Sequence, residues 1–146
     1  MRTKRITGVL AALAMAVATG VAVSVTPASA AGGCAGRIID HQDLTAINGP
    51  YVGQFVGRVN LYWDGTYNCV VFTKAGGPYY GVPTPMGVLI ENEAGEFRQD
   101  PTERTFYSYY AGPAKVNGVG QSIRWTAKLL DSSDTVIAHY EQDFYH

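Results

Sequence analysis

The sequence predicts an all-β protein, a single antiparallel β-sandwich or small barrel that spans residues 31–146. Three observations predict this fold. Short runs of β-branched and aromatic residues are separated by Gly, Pro, Asn and Asp, which is typical of strands joined by turns. No run after residue 30 has the spacing of an amphipathic helix. The runs recur at regular intervals without an internal repeat or a domain linker, which favours one sandwich or barrel domain.

Each predicted strand is a run of strand-forming residues that ends at turn-forming residues. The run 121–130 shows the clearest alternation of apolar and polar residues, which places one face of that strand in a core. Residues 43–50 and 75–85 are predicted connections, and residues 131–134 are a predicted polar turn. The predicted strands are residues 37–40, 52–63, 66–74, 86–93, 103–112, 121–130 and 135–144.

One hairpin is predicted in more detail. Residues 64–65 are Asp-Gly, a pair that favours a two-residue turn because both residues tolerate positive φ. That turn would place Val59 opposite Val70 and Tyr62 opposite Tyr67. Apolar and aromatic pairs of this kind stabilise neighbouring strands.

The N-terminus has the pattern of a secretory signal peptide over residues 1–30. Basic residues at its start precede a long apolar run, and the segment closes with Ala-Ser-Ala at residues 28–30. The sequence therefore predicts a secreted or extracellular protein whose mature part begins near Ala31. Two alternatives stay open. Residues 31–34 loosely resemble a lipoprotein processing box that would acylate Cys34, and the apolar run is long enough for a membrane anchor.

The two cysteines, Cys34 and Cys69, are predicted to form one disulfide. An exported protein meets an oxidising environment, and two is the smallest even number of cysteines. The bond would tie the N-terminus of the mature chain to a central strand. Free thiols and metal ligands are the alternative interpretations of this pair.

The charge balance disfavours two classes of partner. Three of the eleven basic residues precede residue 31, whereas all twelve acidic residues follow it, so the mature chain carries a net charge of −4 with neutral histidines. Nucleic acids and anionic membranes both require a concentrated basic surface. We therefore expect no nucleic-acid partner and no membrane association after signal cleavage. No cofactor is predicted either.

No residue is predicted to be catalytic, because no motif supports the arrangements that could be drawn. His41 and Asp43 could be combined with a serine as a nucleophile, but no serine lies in a Gly-x-Ser-x-Gly turn. These residues are better explained as exposed polar residues on loops and edges. The serines considered are Ser108, Ser122, Ser132 and Ser133.

Acidic residues on the predicted strands are explained as solvent-facing. His139, Glu141 and Asp143 alternate along the last strand, so they point to the same side and could offer ligands to a divalent cation. The same pattern is typical of the outer face of an edge strand, and no metal site is predicted. Glu91 and Glu93 could serve as paired carboxylates but are better explained as outward-facing residues.

Aromatic residues give the main functional signal. Ten tyrosines and two tryptophans all lie after residue 30, and exposed rings of this type stack on sugars or on protein partners. Tyr107 and Tyr109 are predicted to share one face of strand 103–112. The alternative is that these rings build the core, because tyrosine suits strands. The candidate binding surface consists of Trp63, Tyr79, Tyr80, Tyr107 and Tyr109.

Several strings resemble the spore-associated protein A family, small exported proteins of filamentous actinomycetes. The most specific are Asn-Cys-Val-Val at residues 68–71 and Tyr-Tyr-Ala-Gly-Pro at residues 109–113; the others are Cys-Ala-Gly at 34–36, Val-Asn-Leu-Tyr-Trp at 59–63 and Arg-Trp at 124–125. The resemblance implies association with the spore or the cell envelope, without an enzymatic role and without catalytic residues. A second cysteine pair of that family is absent here, and Ser122 occupies one of its positions.

The predicted function is therefore that of a secreted, non-enzymatic protein associated with the envelope or the spore, which binds or coats through a tyrosine-rich surface. Its partner would be a cell-wall or spore-surface polymer or another protein. A small secreted carbohydrate- or protein-binding module, or an inhibitor, is the alternative. A small hydrolase is a third hypothesis.

Overall fold

The computed structural model describes residues 33–145, so the predicted signal peptide lies outside the described residues. The predicted all-β fold is confirmed, because residues 33–145 contain strands and turns and no helix. The strands of this part of the chain are β1 (Arg37–Thr45), β2 (Phe55–Trp63), β3 (Tyr67–Thr73), β4 (Thr84–Asn92), β5 (Phe97–Asp100), β6 (Phe106–Tyr107), β7 (Tyr110–Asn117), β8 (Ile123–Leu130) and β9 (Val136–Tyr145).

Two antiparallel sheets pack as a sandwich. The first sheet has the order β1-β2-β3-β7, and the second has the order β5-β4-β8-β9 with β6 paired to the start of β4. The chain passes from the first sheet to the second after β3 and returns between β6 and β7. It crosses again after β7, so each sheet contains strands from both halves of the sequence.

The β2–β3 hairpin exists, but its predicted register is wrong by two residues. Val70 pairs with Leu61 and Cys69 pairs with Tyr62. The turn is centred on residues 65–66 because the Asp64 carboxylate accepts hydrogen bonds from the backbone N–H groups of residues 66 and 67. A shift of two residues leaves every side chain on its predicted face.

The predicted strand 103–112 is wrong as one element. A bend at residues 108–109 divides it into β6, which pairs with the second sheet, and β7, which pairs with the first. Tyr107 and Tyr109 therefore do not share a strand face. β7 continues past Pro113 to Asn117, and proline is tolerated there because β7 is at the edge of the first sheet.

Two outer strands differ from the prediction in extent. β5 was not predicted, and β1 continues to Thr45 rather than ending at residue 40. Both strands are at sheet edges and are mostly exposed, so neither has the apolar alternation that makes a strand visible in a sequence.

The core lies between the two sheets. Trp125 on β8 is fully buried, and its ring lies 4.9 Å from the ring of Tyr140 on β9. The alternation predicted for β8 is confirmed, because its odd-numbered residues are buried and its even-numbered residues face outward. The largest fully buried apolar side chains are Trp125, Phe72, Leu61, Ile90, Leu129, Ile137, Val56, Val59, Val70, Val71 and Val116.

The predicted Cys34–Cys69 disulfide is confirmed, with a Cα–Cα distance of 5.7 Å. Both cysteines are buried with Tyr62 and Val71 in a small cluster separate from the main core. The bond fixes the segment before β1 to β3, at the centre of the first sheet.

Carboxylates on the β5 side join the two sheets along one edge of the sandwich. Gly112 and Asn117 on β7 donate their backbone N–H groups to the carboxylates of Asp100 and Glu96, at 2.6 and 3.1 Å. These bonds satisfy donors on the unpaired edge of β7, where the strand would otherwise be open to pairing with another chain.

Candidate functional site

The strands give the sandwich two ends with different chemistry. The β1–β2 loop (residues 46–54), the β3–β4 loop (75–83), the segment around the β6–β7 bend (105–110) and the β8–β9 turn (131–135) lie at one end, which we call the tyrosine end. The segment before β1 (residues 33–36) and the turns at 64–66, 93–96 and 118–122 lie at the other, which we call the cysteine end.

The first three of these segments contain no Asp, Glu, Lys, Arg or His, whereas the β8–β9 turn carries Asp131 and Asp134. The three uncharged segments are rich in Tyr, Gly, Ser and Asn, the residue types that binding loops favour because tyrosine supplies rigid contact area and the small residues adapt. The exposed large apolar residues of these segments are Ile47, Tyr51, Val52, Tyr80, Val82, Phe106, Tyr109 and Tyr110. Most such residues outside this end are isolated from one another in sequence.

Two tyrosines form the centre of this surface. The rings of Tyr80 and Tyr109 lie 5.2 Å apart at an interplanar angle of 66°, and the two residues are 54% and 52% exposed. This edge-to-face contact favours a fixed arrangement of the two rings. Because the rings are tilted, they form a contoured surface and not a flat platform.

The structure places Trp63 far from this pair. Trp63 ends β2 at the cysteine end and pairs with Asn68 across the hairpin, whereas Tyr80 and Tyr109 lie beyond the opposite end of β3. Its ring packs so closely over Gly118 that a Cβ there would lie 2.7 Å from it. The strand order therefore separates Trp63 from the other candidates.

Tyr79 and Tyr107 are also set apart from the exposed pair. Tyr79 is only 8% exposed, belongs to the main core and lies beneath Tyr51, with ring centroids 5.6 Å apart. Tyr107 packs against the core and donates its hydroxyl to the Asp100 carboxylate. Burial raises the pKa of both phenols. The predicted five-residue surface is thus corrected to the Tyr80–Tyr109 pair, and a binding role for that pair stays a prediction.

Sequence reasoning missed the contribution of the β1–β2 loop to this end. Ile47, Tyr51 and Val52 are exposed in this loop, and the Tyr51 ring contacts the ring of Tyr79 in the β3–β4 loop. The available signal was the stretch from residue 44 to residue 57, which contains no charged residue although much of it forms an exposed loop. Uncharged exposed loops with apolar side chains indicate contact surfaces.

A fully buried lysine lies under the tyrosine end. The Lys74 ammonium donates to the backbone oxygens of Val82 and Tyr107, both at 2.6 Å, and to the Thr84 hydroxyl. Burial lowers the pKa of Lys74 to about 8. The Lys74 backbone N–H also donates to the backbone oxygen of Tyr109. Lys74 is therefore hydrogen-bonded both to the loop that carries Tyr80 and to the bend that carries Tyr109.

A groove of about 570 Å³ lies on the outer face of the second sheet, between β4, β8 and residues 99–105. Residues 100–101 pack closely against Gly87 at one wall of the groove. A Cβ on Gly87 would lie 3.1 Å from atoms of Asp100 and Pro101. The size of the groove is suitable for a small ligand. Its arginines already have partners, because Arg104 pairs with Asp134 and Arg124 with Glu91.

The residues considered for catalysis do not converge in the structure. His41 is exposed on β1, and its neighbour Asp43 is held by Arg58 at 2.6 Å, which lowers the pKa of that carboxyl. His139 Nε2 lies 3.7 Å from the Glu141 carboxylate on an exposed strand. Within residues 33–145, no hydrogen bond joins either imidazole to a serine hydroxyl, and no three His, Cys, Asp or Glu side chains are grouped to hold a metal ion.

Comparisons with known protein families, with curated proteins and with solved structures find no match to this chain. The resemblance to the spore-associated protein A family therefore stays a prediction. None of the described residues forms a helix that is long and apolar enough to span a membrane.

Proposed function

We propose that this chain is an exported, non-enzymatic binding protein of the cell envelope or spore surface, and that its tyrosine end binds another protein. The observation that carries the proposal is the exposed Tyr80–Tyr109 pair, which lies among loops that contain no charged residue. Tyrosine is enriched in protein interfaces because its ring buries a large apolar area while its hydroxyl keeps a polar contact.

The geometry favours a protein partner over a polysaccharide. Extended sugar chains stack best on coplanar rings, whereas the Tyr80 and Tyr109 rings are tilted by 66°. Protein surfaces are contoured and accept tilted aromatic side chains in pockets. Because the two segments that carry Tyr80 and Tyr109 are uncharged, the partner surface that meets this pair should be neutral and partly apolar.

Two features support export. The first thirty residues have the pattern of a signal peptide, and Cys34 is disulfide-bonded to Cys69. Disulfides persist mainly outside the reducing cytosol. The resemblance to spore-associated proteins supports a location on the envelope or the spore, and antibody staining of washed cells and spores tests it. Detection in culture fluid alone would contradict that location.

Photo-crosslinking tests the binding surface. Tyr80 and Tyr109 are replaced one at a time by p-benzoyl-phenylalanine in the protein secreted by its own host, and Tyr67 at the cysteine end is the matched control because it is also an exposed tyrosine. We expect the same protein adduct from positions 80 and 109 and none from position 67.

The outcomes separate the classes of partner. An adduct that a muramidase must release from the wall fraction would identify a cell-wall polymer and overturn the protein partner. Equal adducts from all three positions, or none from any, would overturn the tyrosine end as the binding surface. Once the partner is identified, Tyr80→Ser with Tyr109→Ser should weaken its affinity at least tenfold, whereas Tyr67→Ser should not change it.

A further inference from the structure

Lys74 is unusual among the charged residues of the described chain because it is fully buried and no carboxylate lies within 4 Å of its ammonium group. Lysine is almost never fully buried unless its charge is paired or well hydrogen-bonded. Here the ammonium has three donors and the structure supplies three acceptors: the oxygens of Val82 and Tyr107 and the hydroxyl of Thr84. The number of donors therefore matches the number of acceptors.

Two of the three acceptors belong to the segments that carry the exposed tyrosines, and the third, Thr84, begins β4. Val82 is two residues after Tyr80, and Tyr107 is two residues before Tyr109. Two backbone hydrogen bonds complete the connection: Lys74 N–H donates to Tyr109 at 2.7 Å, and Gly81 N–H donates to Ser108 at 2.9 Å. The Lys74 side chain thus joins the β3–β4 loop to the strand that precedes the β6–β7 bend.

We propose that Lys74 is the positioning residue of the tyrosine end, and that its ammonium group holds the loop of Tyr80 against the bend of Tyr109 in the arrangement that binds the partner. This inference rests on the function proposed above. Without the ammonium group, the part-buried oxygens of Val82 and Tyr107 and the buried Thr84 hydroxyl lose this partner, and acceptors that lose a partner favour local opening to water.

The surroundings of the ammonium group are neutral. Gly57 of β2 lies against the Lys74 backbone, the β3–β4 loop contributes Val82, and β4 contributes Thr84. On β6, the Tyr107 hydroxyl is directed away from Lys74 and donates to the Asp100 carboxylate on β5. Tyr107 and Asp100 are the titratable pair closest to the Lys74 ammonium group in the hydrogen-bond network. Burial alone therefore accounts for the lowered pKa of Lys74.

This pKa gives the test a direction. Local opening that hydrates Lys74 restores its ordinary pKa of 10.5, so protons favour the open state. The opening constant of the tyrosine end should be nearly constant below pH 7.5 and should fall about twentyfold between pH 7.5 and 9.5. A residue that merely filled space would produce no such pH dependence.

The experiment measures amide exchange with water by NMR on the mature chain, corrected for the intrinsic exchange rate. The reporter is the Gly81 amide, which donates to Ser108, and the internal control is the Gly118 amide at the cysteine end, which donates to Thr66. We expect opening at Gly81, and not at Gly118, to follow the pH dependence given above.

Two substitutions complete the test. Lys74→Met should raise opening at Gly81 at least tenfold at pH 7, abolish its pH dependence and weaken the ring-to-ring contact of Tyr80 and Tyr109. Val116→Ala, which makes a cavity near the cysteine end, is the matched control and should leave Gly81 unchanged. Unchanged opening in Lys74→Met, or a flat pH profile in the wild-type chain, would overturn the positioning role.

Crosslinking from position 109 connects this role to binding and separates the two proposals. Adduct yield should fall at least fivefold in Lys74→Met and stay unchanged in Val116→Ala. If the protein with the crosslinker at position 109 and Lys74 intact gives no adduct, the proposed function fails, while the exchange data still decide the role of Lys74. If Lys74→Met opens the loops but retains the full yield, Lys74 does not position the binding arrangement and the inference fails.

Discussion

The two ends of the sandwich are held by different kinds of interaction. At the cysteine end, a disulfide fixes the first described residues to β3, and carboxylates or amides cap the turns, as Asp64 and Asn92 do. At the tyrosine end, the Asp131 carboxylate caps the β8–β9 turn, but the three segments without charged residues are held by backbone hydrogen bonds and by the buried ammonium of Lys74. Exposed aromatic side chains concentrate where the covalent link is absent.

This difference indicates a division of roles within a small domain. A short chain buries limited apolar area, so a disulfide is an effective addition to its stability. Because the bond is remote from the tyrosine end, the loops there can vary in sequence without loss of the link. Changes at the cysteine end should therefore affect stability, and changes at the tyrosine end should affect binding.

The largest expected effect is loss of the disulfide. Replacement of Cys34 and Cys69 together by Ala should lower the free energy of unfolding by about 4 kcal/mol, because the bond joins residues 35 apart and restricts the unfolded chain. Guanidinium unfolding of the disulfide-bonded protein and of the variant measures it. If the variant stays folded, Tyr80 and Tyr109 should keep their ring contact. A loss below about 1 kcal/mol, or loss of that contact in a folded variant, would remove the division of roles.

Two adjacent glycines provide the next test, at the tyrosine end. Gly76 and Gly77 both have a φ of +72°, but a Cβ at Gly77 would lie 2.2 Å from the backbone oxygen of Phe55, whereas a Cβ at Gly76 meets nothing within 4 Å. Gly76→Ala should cost about 1 kcal/mol for its left-handed backbone. Gly77→Ala should cost about 2 kcal/mol more, because backbone must move.

Thermal unfolding measures the difference in stability between the two alanine variants. Because Gly76 and Gly77 have the same φ, the cost of the left-handed backbone cancels in this difference. Equal losses would mean that the β3–β4 loop yields to the clash and is not fixed against β2. The loops of the tyrosine end would then be deformable, and the partner, not the fold, would set the arrangement of the two rings.

The pH dependence of global stability is a third test. Lys74 has a pKa of about 8 in the folded chain and 10.5 in the unfolded chain, so the unfolded chain binds more protons between these values. Stability should therefore rise with pH, by about 2 kcal/mol between pH 7 and 9.5. Above about pH 10 it should fall, because burial raises the pKa of Tyr62, Tyr107 and Tyr140.

Chemical unfolding from pH 6 to 9.5 measures the slope. Lys74→Met should abolish the rise, whereas Lys128→Met, at an exposed position on β8, should retain it. A rise that persists in Lys74→Met would mean that another group is responsible.

The sequence predicted those parts of the fold that depend on local pattern. β8 was predictable because its apolar and polar residues alternate between core and solvent, and the disulfide was predictable because a chain with two cysteines has one possible pairing. The bend at residues 108–109 was not predictable in this way. It contains no proline or glycine, and it exists because the residues before it pair with β4 and those after it pair with β3.

The candidate site was only partly predictable, for a related reason. Tyr79 and Tyr80 are adjacent and chemically identical, yet one is in the core and the other in solvent. Which of the two is buried depends on the β1–β2 loop that covers Tyr79 with Tyr51, a contact distant in sequence. Lys74 could not be identified either, because its acceptors lie on segments that meet only after both sheets form.

The smallest expected effect is at a turn of the cysteine end. Asp64 accepts hydrogen bonds from the N–H groups of Tyr67 and Thr66, which hold the pKa of its carboxyl below the ordinary value of 3.8. A carboxyl with a lowered pKa stabilises the fold above its ordinary pKa, and this contribution is lost as the pH falls through the lowered value. Asp64→Asn should therefore reduce stability slightly at pH 7 and should make no difference at the lowest pH where the chain stays folded. If Asp64→Asn lowers stability equally at all pH values, the hydrogen-bond geometry and not the charge of Asp64 stabilises the β2–β3 turn.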